Sequence, residues 1–200
     1  GAISNCTSTV ENIAGGVSLL GADAVCNYSG GFVTCCTGLN GGGFYVEDGT
    51  LTVTETGSVS TVIDGNVATG AGGGGIYQAG GNVYLKGGAI GGTDYANTAM
   101  AVNGTGLNGG GVYLAGGNLE LNGTRIMKCS AKNGAGIYMS DGTLTIASAE
   151  AAGKIINNTA SNAGGGIYFE TEALYNATAF KAAVGANTQT VGLDCYSPDI

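Results

Sequence analysis

Apolar residues in this chain fall in short alternating runs that glycine interrupts. In "NGGGVYLAGGNLELNG", residues 108–123, Val112 and Leu114 flank Tyr113, then Leu119 and Leu121 flank Glu120. A period of two marks strands with one buried face. The unit recurs as "GGGFY" at 41, "GGGIY" at 73, "GGGVY" at 109, "GAGIY" at 134 and "GGGIY" at 164. Phe44, Ile76, Val112, Ile137 and Ile167 form the inward set, joined by Val46, Leu114, Met139 and Phe169. The intervening tyrosines point outward, and Gln78 is the misfit in the apolar set. Six residues after each of the first four tyrosines comes a second strand, with inward Leu51 and Val53, Val83 and Leu85, Leu119 and Leu121, Leu144 and Ile146. Upstream of each glycine cluster lies a third element, an apolar residue followed three later by Asn or Cys. The pairs are Val33 and Cys36, Ile63 and Asn66, Met100 and Asn103, Ile126 and Cys129, Ile155 and Asn158.

Three short strands per repeat, turned at glycine corners that supply positive φ, describe one coil of a right-handed parallel β-helix. About six to seven coils are expected, roughly 30 Å of stack at about 4.8 Å per coil. A lone coil buries too few side chains to offset its ordering entropy, so stacking must supply the rest. Tyr-to-Tyr spacings run from 25 to 36 residues, and the extra length is expected between the second and third elements. The chain reads as a single domain: a Cys-rich cap or first coil at 1–32, repeats at 33–169, and a last coil and tail at 170–200. A sandwich of antiparallel hairpins is the competing fold. It does not require a three-part unit recurring in fixed order.

Composition sharpens this picture. The 200 residues include 41 glycines, one proline, no tryptophan and no histidine, and the net charge is −8. So acidic and weakly charged a chain has nothing to neutralise a phosphate backbone, which argues against nucleic acid. No apolar run approaches the roughly 20 residues of a membrane span, so no membrane insertion by this chain is expected. It begins at Gly1 and reads as a processed product whose targeting segment is not shown. The cysteines, Cys6, Cys26, Cys35, Cys36, Cys129 and Cys195, lack paired zinc spacings and a histidine to complete a shell. No metal and no cofactor are expected. Disulfides fit better and imply an oxidising compartment. Cys36 and Cys129 share a column but lie three coils apart, about 14 Å, too far to bond. Pairing is expected within the amino-terminal cluster.

The unit "IINNTASNAGGGIYF" resembles the repeat of the chlamydial polymorphic outer membrane proteins and related adhesin-like β-helices, over residues 33–169. That repeat pairs Phe-x-x-Asn with Gly-Gly-Ala and an aliphatic residue. Here Ile, Met or Val stands for Phe, Gly stands for Ala in most copies, and Cys replaces Asn at 36 and 129. The resemblance implies a surface-exposed, non-enzymatic adhesive or structural role.

Candidate chemistry is sparse. Many β-helices are polysaccharide lyases or hydrolases, which need an acid and base, or an acidic calcium cluster, on one face. Glu47, Asp48, Asp64, Glu120 and Asp141 are scattered, and Arg125 is the only arginine. No catalytic residue is assigned. A pectate-lyase type of enzyme is the alternative, and a carbohydrate-binding surface protein a third reading. Outward threonines in "TLTVT" and "TLT" could suggest ice binding, but Asn82, Tyr84, Asn118 and Glu120 interrupt the array. Tyr45, Tyr77, Tyr113, Tyr138 and Tyr168 share one outward position, either a packing ladder or a platform for sugar rings. Six Asn-x-Ser/Thr sequons mark Asn5, Asn27, Asn103, Asn122, Asn157 and Asn176 as glycan acceptors. Asn103 is set apart because its column should face inward, whereas Asn157 should face out.

The functional expectation is an extracellular or cell-surface structural or adhesive β-helix with no catalysis. Its specific form is a fibre protomer that stacks head to tail on other copies of itself, or a protein that contacts host or extracellular glycans. The open ends of such a helix are natural joining surfaces. "TEALYNATAFKAAVG" could form a short cap, followed by a β-rich tail with Cys195 and Pro198.

Overall fold

A computed structural model describes residues 1–92, 95–146, 154–171, 184–185, 187 and 195–196. The chain is a parallel β-helix. Each interior strand pairs in parallel with the equivalent strand one coil earlier and one coil later, and no helix occurs among the described residues. Four sheets run along the stack. The first contains Ala2–Ser4, Gly31–Thr34, Thr61–Asp64, Ala89–Ile90, Arg125–Met127, Ile155–Ile156 and Val184–Gly185. The third, which carries the tyrosines, contains Val17–Leu19, Phe44–Val46, Ile76–Gln78, Val112–Leu114, Ile137–Met139, Ile167–Phe169 and Cys195–Tyr196. The fourth contains Val25–Tyr28, Thr50–Val53, Asn82–Leu85, Asn118–Leu121 and Thr143–Ile146.

These three sheets are the three elements expected from the alternation. The second sheet adds a fourth strand to the coil, with Thr37–Asn40, Val67–Gly72, Thr98–Ala99, Ser130–Asn133 and Thr159–Ala163. Its inward positions are small, Gly38, Ala68, Ala99, Ala131 and Ala160, so it carries no apolar alternation to read. Small side chains are required there because the glycine clusters approach closely. A Cβ on Gly42 would lie 2.5 Å from the Gly74 carbonyl oxygen and 2.5 Å from the Val67 nitrogen. The first glycine of each cluster turns the chain with positive φ, 74° at Gly41 and 67° at Gly109, a conformation open mainly to glycine.

The core is a set of columns. Val33, Ile63, Ile90, Ile126 and Ile155 stack in register along the first sheet, and all are buried. Phe44, Ile76, Val112, Ile137 and Ile167 do the same along the third, and Leu51, Val83, Leu119 and Leu144 along the fourth. Gln78 sits in the column between Val46 and Leu114, fully buried. Burial of these side chains is the main stabilising term.

One pairing from the sequence is corrected. The third-element pair of the longest coil is Ile90 and Asn97, not Met100 and Asn103. Ile90 registers with Ile63 and Ile126, and Asn97 hydrogen-bonds within the inner column. The segment between Ile90 and Asn97 is an insertion, so the three-residue spacing fails. A second insertion follows, pinned by an antiparallel bridge between Met100 and Gly106, and its tip residue Val102 is 91% exposed. Extra length therefore also enters after the first sheet, not only before it.

Candidate functional site: two ladders and an open end

The tyrosines form the continuous stack that their shared position predicts. Ring centroids of Tyr45 and Tyr77 are 5.6 Å apart, Tyr77 and Tyr113 4.9 Å, Tyr113 and Tyr138 4.9 Å, and Tyr138 and Tyr168 5.1 Å. In the strand register, Ser18 lies one coil before Tyr45 and Tyr196 one coil after Tyr168. The rings point away from the core yet are not free platforms. Tyr45 and Tyr138 are buried, and Tyr77, Tyr113 and Tyr168 are half-buried. Each ring is covered by its neighbours in the stack, and the Tyr113 ring also lies against Gly72. Burial raises the Tyr45, Tyr77 and Tyr138 phenols above their ordinary range, with Glu47 adding to it at Tyr45 and Glu170 at Tyr138. Stacked and covered rings of this kind stabilise coil-to-coil contact.

Inside the stack runs a polar ladder of Cys6, Cys36, Asn66, Asn97, Cys129, Asn158 and Asn187, at the turn between the first and second sheets. The side-chain amide of Asn66 donates to the Val33 carbonyl at 2.9 Å, that of Asn97 to Ile63 at 2.7 Å, and that of Asn158 to Ile126 at 3.1 Å. Asn187 donates to Ile155 at 3.0 Å. In the other direction, the main-chain N–H of Cys36 donates to Asn66 Oδ1, that of Cys129 to Asn158 Oδ1, and that of Asn158 to Asn187 Oδ1. Cysteine takes the asparagine role with one atom. Cys36 Sγ donates to Ile3 O at 3.8 Å and Cys129 Sγ to Ile90 O at 3.7 Å, while Asn97 donates to the Cys129 sulfur. Burial pushes the Cys129 thiol up to about 12. A thiol so held is a structural hydrogen-bonding group. Sequence reasoning found Cys36, Asn66, Cys129 and Asn158 but missed Cys6, Asn97 and Asn187. The five-residue step from Leu85 to Ile90, equal to that from Leu121 to Ile126, is the signal that would have found Asn97.

Cys6, Cys26, Cys35, Cys36 and Cys129 all carry free thiols, and the side chain of Cys195 lies outside the described residues. Cys26 registers with Leu51 on the fourth sheet, and Cys35 is exposed with positive φ. No three His, Cys, Asp or Glu side chains come together among the described residues. The carboxylates stay apart and serve local turns: Glu47 Oε2 accepts from the Gly21 N–H at 3.2 Å, and Asp141 Oδ1 from the Gly142 N–H at 2.7 Å.

The sequons divide by exposure. Asn5, Asn27 and Asn157 are exposed, and Asn5 and Asn157 occupy the same left-handed corner, just before the polar ladder. Asn103 is also exposed, on the second insertion, so the inward placement expected for it is corrected. Asn122 is half-buried and its Thr124 fully buried, with the hydroxyl donating to the Gly87 carbonyl at 2.6 Å. Asn176 lies outside the described residues, as do residues 172–183 of the expected cap.

The first coil is less covered than the second. Ile3 registers with buried Val33 but is itself 40% exposed, and Val10, Leu20 and Val25 of the same coil are exposed too. The strands Ala2–Ser4, Val17–Leu19 and Val25–Tyr28 each pair on one side only.

The fold and its inner ladder define the class: a parallel β-helix held by stacked side-chain columns. No family model, no curated protein and no solved structure matches the chain. No helix among the described residues is long and apolar enough to cross a membrane.

Proposed function

We propose that the chain is a non-enzymatic extracellular or cell-surface scaffold, in its specific form a protomer that stacks end to end into a fibre. The observation that carries this reading is the first coil, where the core position Ile3 is exposed and the strands Ala2–Ser4, Val17–Leu19 and Val25–Tyr28 each pair on one side only. Unpaired strand edges and exposed core side chains are a template for further strands. At the other side of the described stack, the strand Val184–Gly185 registers Val184 with Ile155, and the strand Cys195–Tyr196 registers Tyr196 with Tyr168. A second copy placed by these registers makes a head-to-tail contact, which does not close and so propagates. The exposed sequons and the resemblance to adhesin-like repeats support a surface location. The covered tyrosines favour packing over glycan binding in their stack.

Negative-stain electron microscopy of the native protein at high concentration tests the reading. Filaments with an axial repeat of roughly 34 Å are expected for seven coils at about 4.8 Å each, and Ile3→Lys should shorten or abolish them. Dispersed particles alone would sink the fibre. Clear turnover of acidic polysaccharides, with or without calcium, would overturn the non-enzymatic reading.

A further inference from the structure

The inner column carries two cysteines on neighbouring coils in only one place among the described residues. Ile3 registers with Val33, Ser4 with Thr34 and Thr7 with Thr37, which sets Cys6 directly against Cys36. The main chain fixes this register on both sides of the pair: Asn5 N–H donates to Thr34 O at 3.2 Å and Thr37 N–H to Cys6 O at 2.8 Å. Stacked positions on paired parallel strands lie about 4.8 Å apart, inside the window of about 4.4–6.8 Å that a disulfide spans. The Cys6 main-chain N–H faces the Cys36 sulfur, as the Cys36 N–H faces Asn66 Oδ1 one coil on, and Cys36 Sγ reaches back to the Ile3 carbonyl at 3.8 Å.

We propose that Cys6 and Cys36 are an oxidation site, joined under oxidising conditions by a disulfide that staples the first coil to the second. The other cysteines are placed elsewhere. Cys129 has Asn97 and Asn158 as its column neighbours, Cys26 faces the fourth-sheet column with Leu51, and the Cys35 sulfur lies against Thr34 Oγ1 at 3.5 Å on the exposed side of the corner. Cys6 is half-buried, open enough to meet an oxidant, while Cys36 is buried.

Chemically, the oxidant is a small disulfide carrier such as oxidised glutathione. The Cys6 thiolate attacks one carrier sulfur, forming a mixed disulfide and releasing one carrier thiolate. The Cys36 thiolate then attacks Cys6 Sγ, forming the Cys6–Cys36 bond and releasing the second carrier thiolate. Two protein thiols are oxidised and one carrier disulfide is reduced, and the two thiol protons end on the carrier or solvent. Burial raises the Cys36 thiol above its ordinary value, so the second step should quicken as pH rises. This inference stands whether or not copies of the chain stack.

The test is peptide mapping under non-reducing conditions after the whole chain is equilibrated with oxidised glutathione at pH 8.5. The expected product is one linked peptide pair joining Cys6 to Cys36. Cys6→Ser should abolish it, and in the unchanged protein oxidation should slow hydrogen exchange at the Thr37 amide on the order of a hundredfold. Any other pairing of Cys6 or Cys36, including a link between chains, or both thiols still free after equilibration, overturns the proposal.

Discussion

Asn66 and Asn97, stacked in successive coils, are joined twice: the main-chain N–H of Asn66 and its side-chain amide both donate to Asn97 Oδ1, at 3.0 and 3.2 Å. Both residues are fully buried. The pair lets the backbone turn inside the core without leaving a polar group unpaired, which a buried corner otherwise forbids. Asn97→Ala should therefore cost about 2–5 kcal/mol, since it orphans the Asn66 N–H inside the core and leaves the Ile63 carbonyl with the Gly91 N–H alone. Asn97→Cys should cost clearly less, because Cys36 and Cys129 already fill this role. Urea unfolding of the two variants beside the parent checks the order, and equal losses would show that sulfur is not a working substitute.

Two glycines should respond to a methyl group with costs of very different size. A Cβ at Gly74 would meet the Gly110 oxygen and the Thr98 nitrogen and oxygen, each at 2.6 Å and all backbone. Gly57 has φ of 65° but nothing within 4 Å of the added carbon. Gly57→Ala should cost about 1–2 kcal/mol from the left-handed backbone alone. Gly74→Ala has to push two coils apart and should exceed it by several-fold in thermal or chemical denaturation.

Gln78 is the polar residue in an apolar column, and its Oε1 has no hydrogen-bond partner. Its amide nitrogen donates to the carbonyls of Gly81 and Asn118, at 3.3 and 3.0 Å, and the Gly81 carbonyl already receives the Asn118 N–H. Gln78→Leu, matching Leu114 of the next coil, removes an unsatisfied buried oxygen and should be neutral or stabilising by about 1 kcal/mol. A loss of 2 kcal/mol or more in denaturant titration would mean the amide pins the register.

Alkali should unfold the protein through its tyrosines. Burial raises the Tyr28 phenol to about 12, its oxygen lying 2.6 and 2.9 Å from the carbonyls of Gly31 and Val62. Tyr45, Tyr77 and Tyr138 are raised as well. An acid whose folded pKa exceeds its unfolded value favours the fold while neutral, so this stability is complete below about pH 10 and is lost as pH rises towards 12. Phenolate absorbance should appear late and together with the loss of β-sheet circular dichroism. Smooth titration near pH 10 with the fold intact would contradict the burial of the stack.

Much of this architecture is legible because side-chain alternation and burial share one cause. The columns of Leu51, Val83, Leu119 and Leu144, and the outward series of Thr52, Tyr84, Glu120 and Thr145, follow from aligning the repeats and appear as register partners in the structure. The second sheet was not legible, because Gly38, Ala68 and Ala131 carry too little side chain to show a period. Asn97 was missed for another reason. A three-residue rule is local, and "MAVN" satisfied it while the insertion between Ile90 and Asn97 moved the true partner away. The tyrosine position was legible but its covering was not, since that depends on how closely the rings of successive coils stack.

The insertions in the coil of Ile90 and Asn97 have a final consequence. They widen the turn, yet Asn97 still meets Asn66 and Ile90 still meets Ile63 and Ile126. The molecule thus behaves as a ruler graduated in turns: each advances the axis by about 4.8 Å, however many residues it spends on the way round. Residues added at Val102 change girth and decoration, and only a whole new turn changes reach.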